Sequence, residues 1–206
     1  MAGEVDTARR SLQDATGTEV AGFRAPGYNL TPELLAAVAA AGHRYDSSIL
    51  PSPPYYLARA AVIAGMAIRG KRSSSIVGRC RDWLRSREPF DWHEPPLREY
   101  PITASGPLRM PVIGTFLTGG WVTGHLVEWA KDLPFANVEF HGIDFLDLER
   151  DGLDPALAVE PALKVPLDGR LRAFEGAVRE LAAGKRCTPL VEIPAPSLEC
   201  GGLPPL

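Results

Sequence analysis

The sequence predicts an α/β fold with parallel strands, and three observations lead there. A strand, loop, helix unit runs from Glu19 to Gly42 and repeats at once from His43 to Ile68. A late strand-like run, Asn137 to Phe140, leads into a loop before the final helical pattern. The 206 residues are 45% hydrophobic and 23% charged, enough for one domain with a buried core. In such folds ligands sit beyond the carboxyl ends of the strands, so the loops after Phe23 and Phe140 are where chemistry is sought.

The elements follow in order. Glu4 to Ala15 reads as a helix with Val5, Ala8 and Leu12 on one face, closed by Gly17. Glu19 to Phe23 is a short strand ending in the loop Arg24 to Asn29. Thr31 caps the next helix, whose first position is Pro32 and whose Leu34, Leu35, Val38 and Ala39 recur at helical spacing before Gly42. His43 to Ile49 is the second strand; a loop with Pro51, Pro53 and Pro54 then precedes a helix from Tyr55 to Ile68. Residues 70–96 show no clean period and read as an irregular basic excursion, with a short helix near Val77 to Leu84. Leu97 to Thr103 is a strand and Gly119 to Lys131 a helix. The last helix, Leu167 to Ala183, places Leu171, Phe174, Val178 and Leu181 on one face, and Thr188 to Ile193 reads as the last strand. One domain over 1–193 and a loose tail over 194–206 result. The many turns implied by 20 Gly and 20 Pro fit that reading.

Composition excludes several function classes. A net charge of -3 removes the electrostatic reason for a nucleic-acid partner. The excursion, with Lys71, Arg72, Arg79, Arg81, Arg85 and Arg87 around Trp83, fits either contact with an anionic polymer or lipid phosphate, or a solvated face. Cys80, Cys187 and Cys200 have no Cys or His neighbours at metal-ligand spacing, which speaks against disulfides and structural zinc. No stretch of about eighteen continuous apolar residues is present, so no transmembrane segment is expected. The charged start lacks a signal-peptide core, and the visible chain reads as cytosolic, any signal segment lying upstream in a longer protein.

Candidate site residues lie at the strand ends. Arg24 is a fixed cation suited to holding a carboxylate. Pro26 and Gly27 can aim a backbone N–H at developing negative charge; the same residues also fit a Pro-Gly turn with a surface arginine. His141, with Asp144 and Asp147 nearby, is a candidate general acid or base, or a structural hydrogen-bonder. Asp46 can orient a histidine, bind a sugar hydroxyl or form an Asx turn. His43, His93 and His125 lack partners at ligand spacing and read as surface or loop-packing residues.

The segments GFRAPGYNLTPELLAAVAAAGHRYDSSILPS and VEFHGIDFLD, in that order, resemble polysaccharide deacetylases. The first looks like the family's Arg-x-Pro-aromatic loop, helix and Asp-containing strand, and the second like its late strand ending in a catalytic histidine. With Leu163 to Glu192 resembling the last helix and strand, the likeness spans Glu4 to Ile193. It implies a distorted (β/α) barrel and hydrolysis of N- or O-acyl groups on sugars with one divalent metal, usually zinc. By resemblance Arg24 tethers the catalytic base, Gly27 or Tyr28 offers the oxyanion N–H, and Tyr28 lines the substrate groove. Asp46 supports the histidine, and His141 protonates the leaving group. Gly27 intervenes between the proline and the aromatic residue, which departs from the family pattern.

The family's Asp-Asp pair and His-x-x-x-His motif have no counterpart here. The expectation is therefore a partial barrel lacking its first strands, a deacetylase fragment with no metal ligands of its own. Alone it is inactive, binds zinc weakly, and self-associates through an exposed barrel edge. Arg24, Asp46 and His141 are expected around one groove. The alternative is a non-catalytic carbohydrate-binding or complex-forming remnant with a groove lined by Tyr28, Trp121 or Trp129. Which acylated sugar is bound does not follow from the motifs.

Overall fold

The computed structural model describes residues 2–70, 72 and 76–193; the tail over 194–206, with Cys200, and Lys71 of the basic excursion lie outside the described residues. Helices α1 (Ala2–Thr16) and α2 (Pro32–Ala40) flank β1 (Gly22–Phe23), and β2 (Tyr45–Asp46) follows. Then come α3 (Pro53–Ile68), α4 (Cys80–Trp83), β3 (Phe90–Trp92), β4 (Leu97–Glu99), β5 (Ala104–Ser105) and β6 (Met110–Pro111). Helices α5 (Gly120–Ala130) and α6 (Leu167–Ala182) complete a mixed α/β arrangement.

The sheet has the order β1-β2-β4-β3. β1, β2 and β4 run parallel, pairing Phe23 with Asp46 and Asp46 with Glu99, and β3 returns antiparallel to β4. Extended backbone carries the layer further: the Ile102 N–H donates to the Ile49 carbonyl and the Thr103 N–H to the Asn137 carbonyl. Ile113 and Glu139 form a parallel bridge. Arg24 thus leaves the carboxyl end of β1, and His141 leaves the carboxyl end of the Glu139 bridge.

Local chemistry accounts for the helix ends. The Thr31 hydroxyl accepts the Leu34 N–H at 3.2 Å, and Pro32 fills the first turn where no N–H is needed. Three apolar clusters hold the layers. Val5, Leu35, Val38, Ile49 and Leu97 join α1 and α2 to the sheet. Val112, Leu117, Val127, Phe174 and Leu181 lie between α5 and α6. Tyr28, Leu50, Tyr56, Ile102 and Ile113 form the third.

Several elements differ from the sequence reading. On α1 only Val5 is buried, because the packed face runs through polar anchors: Arg9 Nε donates to the Val20 carbonyl at 3.0 Å, and Gln13 Oε1 accepts the Val20 N–H. Ala8 and Leu12 are exposed. On α6 the buried face is Arg170, Phe174, Ala177 and Leu181 rather than one through Leu171 and Val178. The Arg170 guanidinium reaches the Leu146 carbonyl at 2.6 Å, which rotates the helix relative to the expected phase. The excursion over 70–96 contains β3, and a two-stranded hairpin, β5 with β6, follows β4. The expected strand over Thr188 to Ile193 is instead a 3-10 turn, Leu190–Glu192, since Pro189 brings no N–H for a ladder.

Candidate functional site

Glu139 is the centre of the site. Its side chain is 9% exposed, and its two oxygens have different partners. Arg24 Nη1 lies 3.2 Å from Oε1, and the Tyr28 hydroxyl donates to Oε2 at 2.5 Å. A carboxylate this buried is tolerated because a cation and a phenol replace its water.

Arg24 cannot swing away. Its Nε donates to the Ser47 carbonyl and its Nη2 to the Ser47 hydroxyl, both at 2.9 Å. Ser47 is held in turn, donating to the Tyr100 carbonyl at 2.8 Å and accepting from Asn137 Nδ2 at 2.9 Å. The strand-end arginine is therefore braced by the residues following β2 and β4.

Tyr28 is aimed by the turn Pro26–Tyr28. Gly27 at φ 61 takes the left-handed step that a side chain would resist, and Tyr28 itself sits at φ 60. The turn closes with the Tyr28 N–H donating to the Ala25 carbonyl at 3.0 Å. That bond occupies the Tyr28 N–H and leaves Gly27 as the oxyanion candidate of the two residues. Arg59 Nη1 donates to the Gly27 carbonyl at 2.7 Å, tying the turn to α3. Burial, then the bond to Glu139, push the Tyr28 phenol far above its ordinary range, so it stays a donor.

His141 stands at the rim, with its side chain 55% exposed. Nε2 lies 3.8 Å from Glu139 Oε1, and Nδ1 lies 3.9 Å from Asp144 Oδ2. Each ring nitrogen thus faces a carboxylate beyond hydrogen-bond length. Asp144 is fixed from below, its Oδ2 accepting the His141 backbone N–H at 2.8 Å. Its carboxylate occupies space that only glycine leaves open: a Cβ on Gly114 would collide with Oδ2. The half-buried Asp147 caps the next turn, accepting the N–H groups of Arg150 and Glu149, which hold its carboxyl below the usual range.

These groups line a cleft of about 740 Å³. Arg24, Gly27, Tyr28, Glu139 and, at the rim, His141 form its polar lining; Tyr55, Ala58, Val62, Ile113 and Phe116 contribute apolar wall. The structure thus brings together four of the five residues singled out from the sequence. Asp46 is not in the cleft. It is fully buried, which raises its carboxyl above the ordinary range, and it accepts the Ser48 hydroxyl at 2.7 Å. Ser48 Oγ also accepts the Ala25 N–H at 2.7 Å, so Asp46 reaches the Arg24 loop through Ser48. No contact joins Asp46 to His141 among the described residues.

Sequence reasoning missed Glu139. The available signal was an acid inside the apolar run Val138 to Phe140, two residues before His141 and so on the same side of an extended chain. Of the remaining histidines, His43 is buried against the Phe23 ring, 5.6 Å between centroids. His93 is exposed, and the exposed His125 stacks on Trp129. Trp121 and Trp129 lie on α5 and do not line the cleft.

The donors present do not suit a divalent metal. Both Glu139 oxygens are engaged, and no group of three His, Cys, Asp or Glu side chains among the described residues can hold an ion. No family model, curated protein or solved structure matches this chain.

Proposed function

We propose that the cleft is the proton-donating and substrate-binding half of a polysaccharide-deacetylase-type site, built on part of a (β/α) barrel, and that it takes an acylated sugar. The convergence of Arg24 and His141 on Glu139, beside a cleft with aromatic walls, carries this reading. The parallel β1, β2 and β4 support the barrel element, and β1 at the sheet terminus leaves room for a further strand from this or another chain.

In this reading the acyl carbonyl oxygen points to the Gly27 N–H. As the C–N or C–O bond breaks, His141 gives a proton to the departing nitrogen or oxygen. Arg24 and Tyr28 hold the Glu139 carboxylate beside the imidazole, where it offsets the charge of a protonated ring. The metal and the base that the family uses to activate water would come from residues other than those described, so the chain alone binds sugar without turning it over.

A second reading, sugar binding with no chemistry, is favoured by one observation: Arg24 and Tyr28 close off both oxygens of the cleft carboxylate. An N-acetylated oligosaccharide, assayed for binding and for acetate release, separates the two. Binding without release by the isolated chain, and release once a segment bearing Asp-Asp and His-x-x-x-His is added, supports the deacetylase half-site. In that reconstituted form His141→Ala lowers kcat with little change in KM, because the proton is needed only in the transition state. Binding with no release in any combination supports the second reading, and absence of binding rejects both.

A further inference from the structure

Helix α3 is apolar on faces that the other described residues do not cover. Over its 16 residues Arg59 is the one charged side chain, and Tyr56 is the one buried residue. Leu57, Ala61, Ala64 and Ile68 fall on one face at intervals of four, three and four, and all are exposed, Leu57 to 60% and Ile68 to 86%. The adjoining Ala58 and Val62 line the cleft, so apolar surface runs unbroken from the outer face of α3 to the cleft wall. An apolar helix face of this kind requires a cover.

Charge identifies the cover. Between Asp46 and Asp82 the sequence contains no acidic residue, yet it carries Arg59, Arg69, Arg72, Arg79 and Arg81 in a chain of net charge -3. Arg69 and Arg72 follow the C-terminal end of α3 and are exposed. Near the other end, Trp83 stacks on Tyr56 at 5.2 Å and 5°, which anchors the segment bearing the exposed Arg81. A second copy of this chain would oppose like charge with like. Anionic lipid headgroups would meet both the basic flanks and, beneath them, the apolar face.

We propose that α3 docks in the plane of an anionic lipid surface, with the cleft mouth turned toward that surface. At 16 residues the helix is about 24 Å long, short of the roughly 30 Å hydrocarbon core, so it lies on a bilayer rather than across it. No helix among the described residues is long and apolar enough to cross a membrane. The corollary, that the acylated sugar is itself anchored to a lipid, rests on the function proposed above; the docking does not.

Flotation of the whole chain with phosphatidylglycerol/phosphatidylcholine vesicles, against phosphatidylcholine alone, tests the docking without reference to turnover. The expected result is binding to the anionic vesicles, at least about tenfold weaker on neutral ones and weakened by salt. Arg69→Gln is expected to weaken it about fivefold. Leu57→Glu with Ile68→Glu abolishes it, and the uncharged pair Leu57→Ser with Ile68→Ser reduces it, both with the unfolding temperature unchanged because neither side chain is buried. Absence of binding to anionic vesicles, or equal binding by the wild type and the glutamate pair, overturns the proposal. So does a wild-type dimer that the glutamate pair converts to monomer, which would identify a second copy as the occupant.

Discussion

Two buried carboxylate clusters flank the Arg24 loop, and they have opposite chemistry. Glu139 is ion-paired to Arg24, capped by Tyr28 and open to the cleft beside His141. Asp46 and Glu99 lie against each other with no ion-pair partner among the described residues, and burial followed by their mutual repulsion raises Glu99 well above the usual carboxyl range. Glu99 Oε1 accepts the Ile49 N–H at 3.0 Å and Oε2 the Trp92 indole N–H at 3.1 Å, two bonds that oppose this rise without cancelling it. A carboxyl group at the end of a parallel strand thus faces a cavity where an arginine pairs with it, and is committed to internal hydrogen bonds where none does. Ser48 is the link between them, bonded to Asp46 on one side and to the Ala25 N–H on the other.

The contrast is broken most severely at Arg24. Arg24→Leu leaves the Glu139 charge buried without its cation and Ser47 without its guanidinium, at an expected cost of about 3 kcal/mol in urea unfolding. Adding Glu139→Leu should recover part of that cost. A loss below about 0.5 kcal/mol would place the ion pair among weak surface contacts. Tyr28→Phe removes one donor to a charged acceptor, with an expected loss of about 2 kcal/mol by the same measurement.

Because the folded carboxyl values of Asp46 and Glu99 are raised, the folded chain holds a proton that the unfolded chain releases. The pair's contribution to stability is therefore full below the ordinary carboxyl range and lost as pH rises through the raised value. His43 acts in the opposite sense: burial, then Arg9, lowers its value, so its contribution is full above pH about 6.5 and lost as pH falls. The difference in melting temperature between wild type and Glu99→Gln isolates the carboxyl pair. That difference should shift against the wild type as pH is raised from about 4.5, whereas a constant difference would mean that the pair is not protonated.

Much of the scaffold was legible because single residues punctuate it. Thr31 and Pro32 mark the start of α2 and Gly42 its end, and α3, α5 and α6 lie within a few residues of the expected spans. What escaped depends on partners distant in sequence. The phase of α6 is set by Arg170 reaching Leu146, and β3 exists because Phe90 to Trp92 finds β4 as a partner. The site divides in the same way. Arg24, Gly27, Tyr28 and His141 were legible as strand-end residues. Glu139 was not, since its role requires Tyr28 and Arg24 to fold onto it. Asp46 carries the same strand-end signal as Arg24, and only its burial against Glu99 separates it from the cleft.

The proposed function requires Arg24, Tyr28, Glu139 and His141 to form one sugar-binding cleft. Chemical-shift mapping of the chain during titration with an N-acetylglucosamine oligomer tests it most directly. Saturable shifts are expected at the Gly27 amide, the Arg24 side chain and the His141 ring, with Glu99 and the indoles of Trp121 and Trp129 unaffected. Shifts confined to the exposed aromatic face of α5, or no saturable shift at His141 and Arg24, would contradict it.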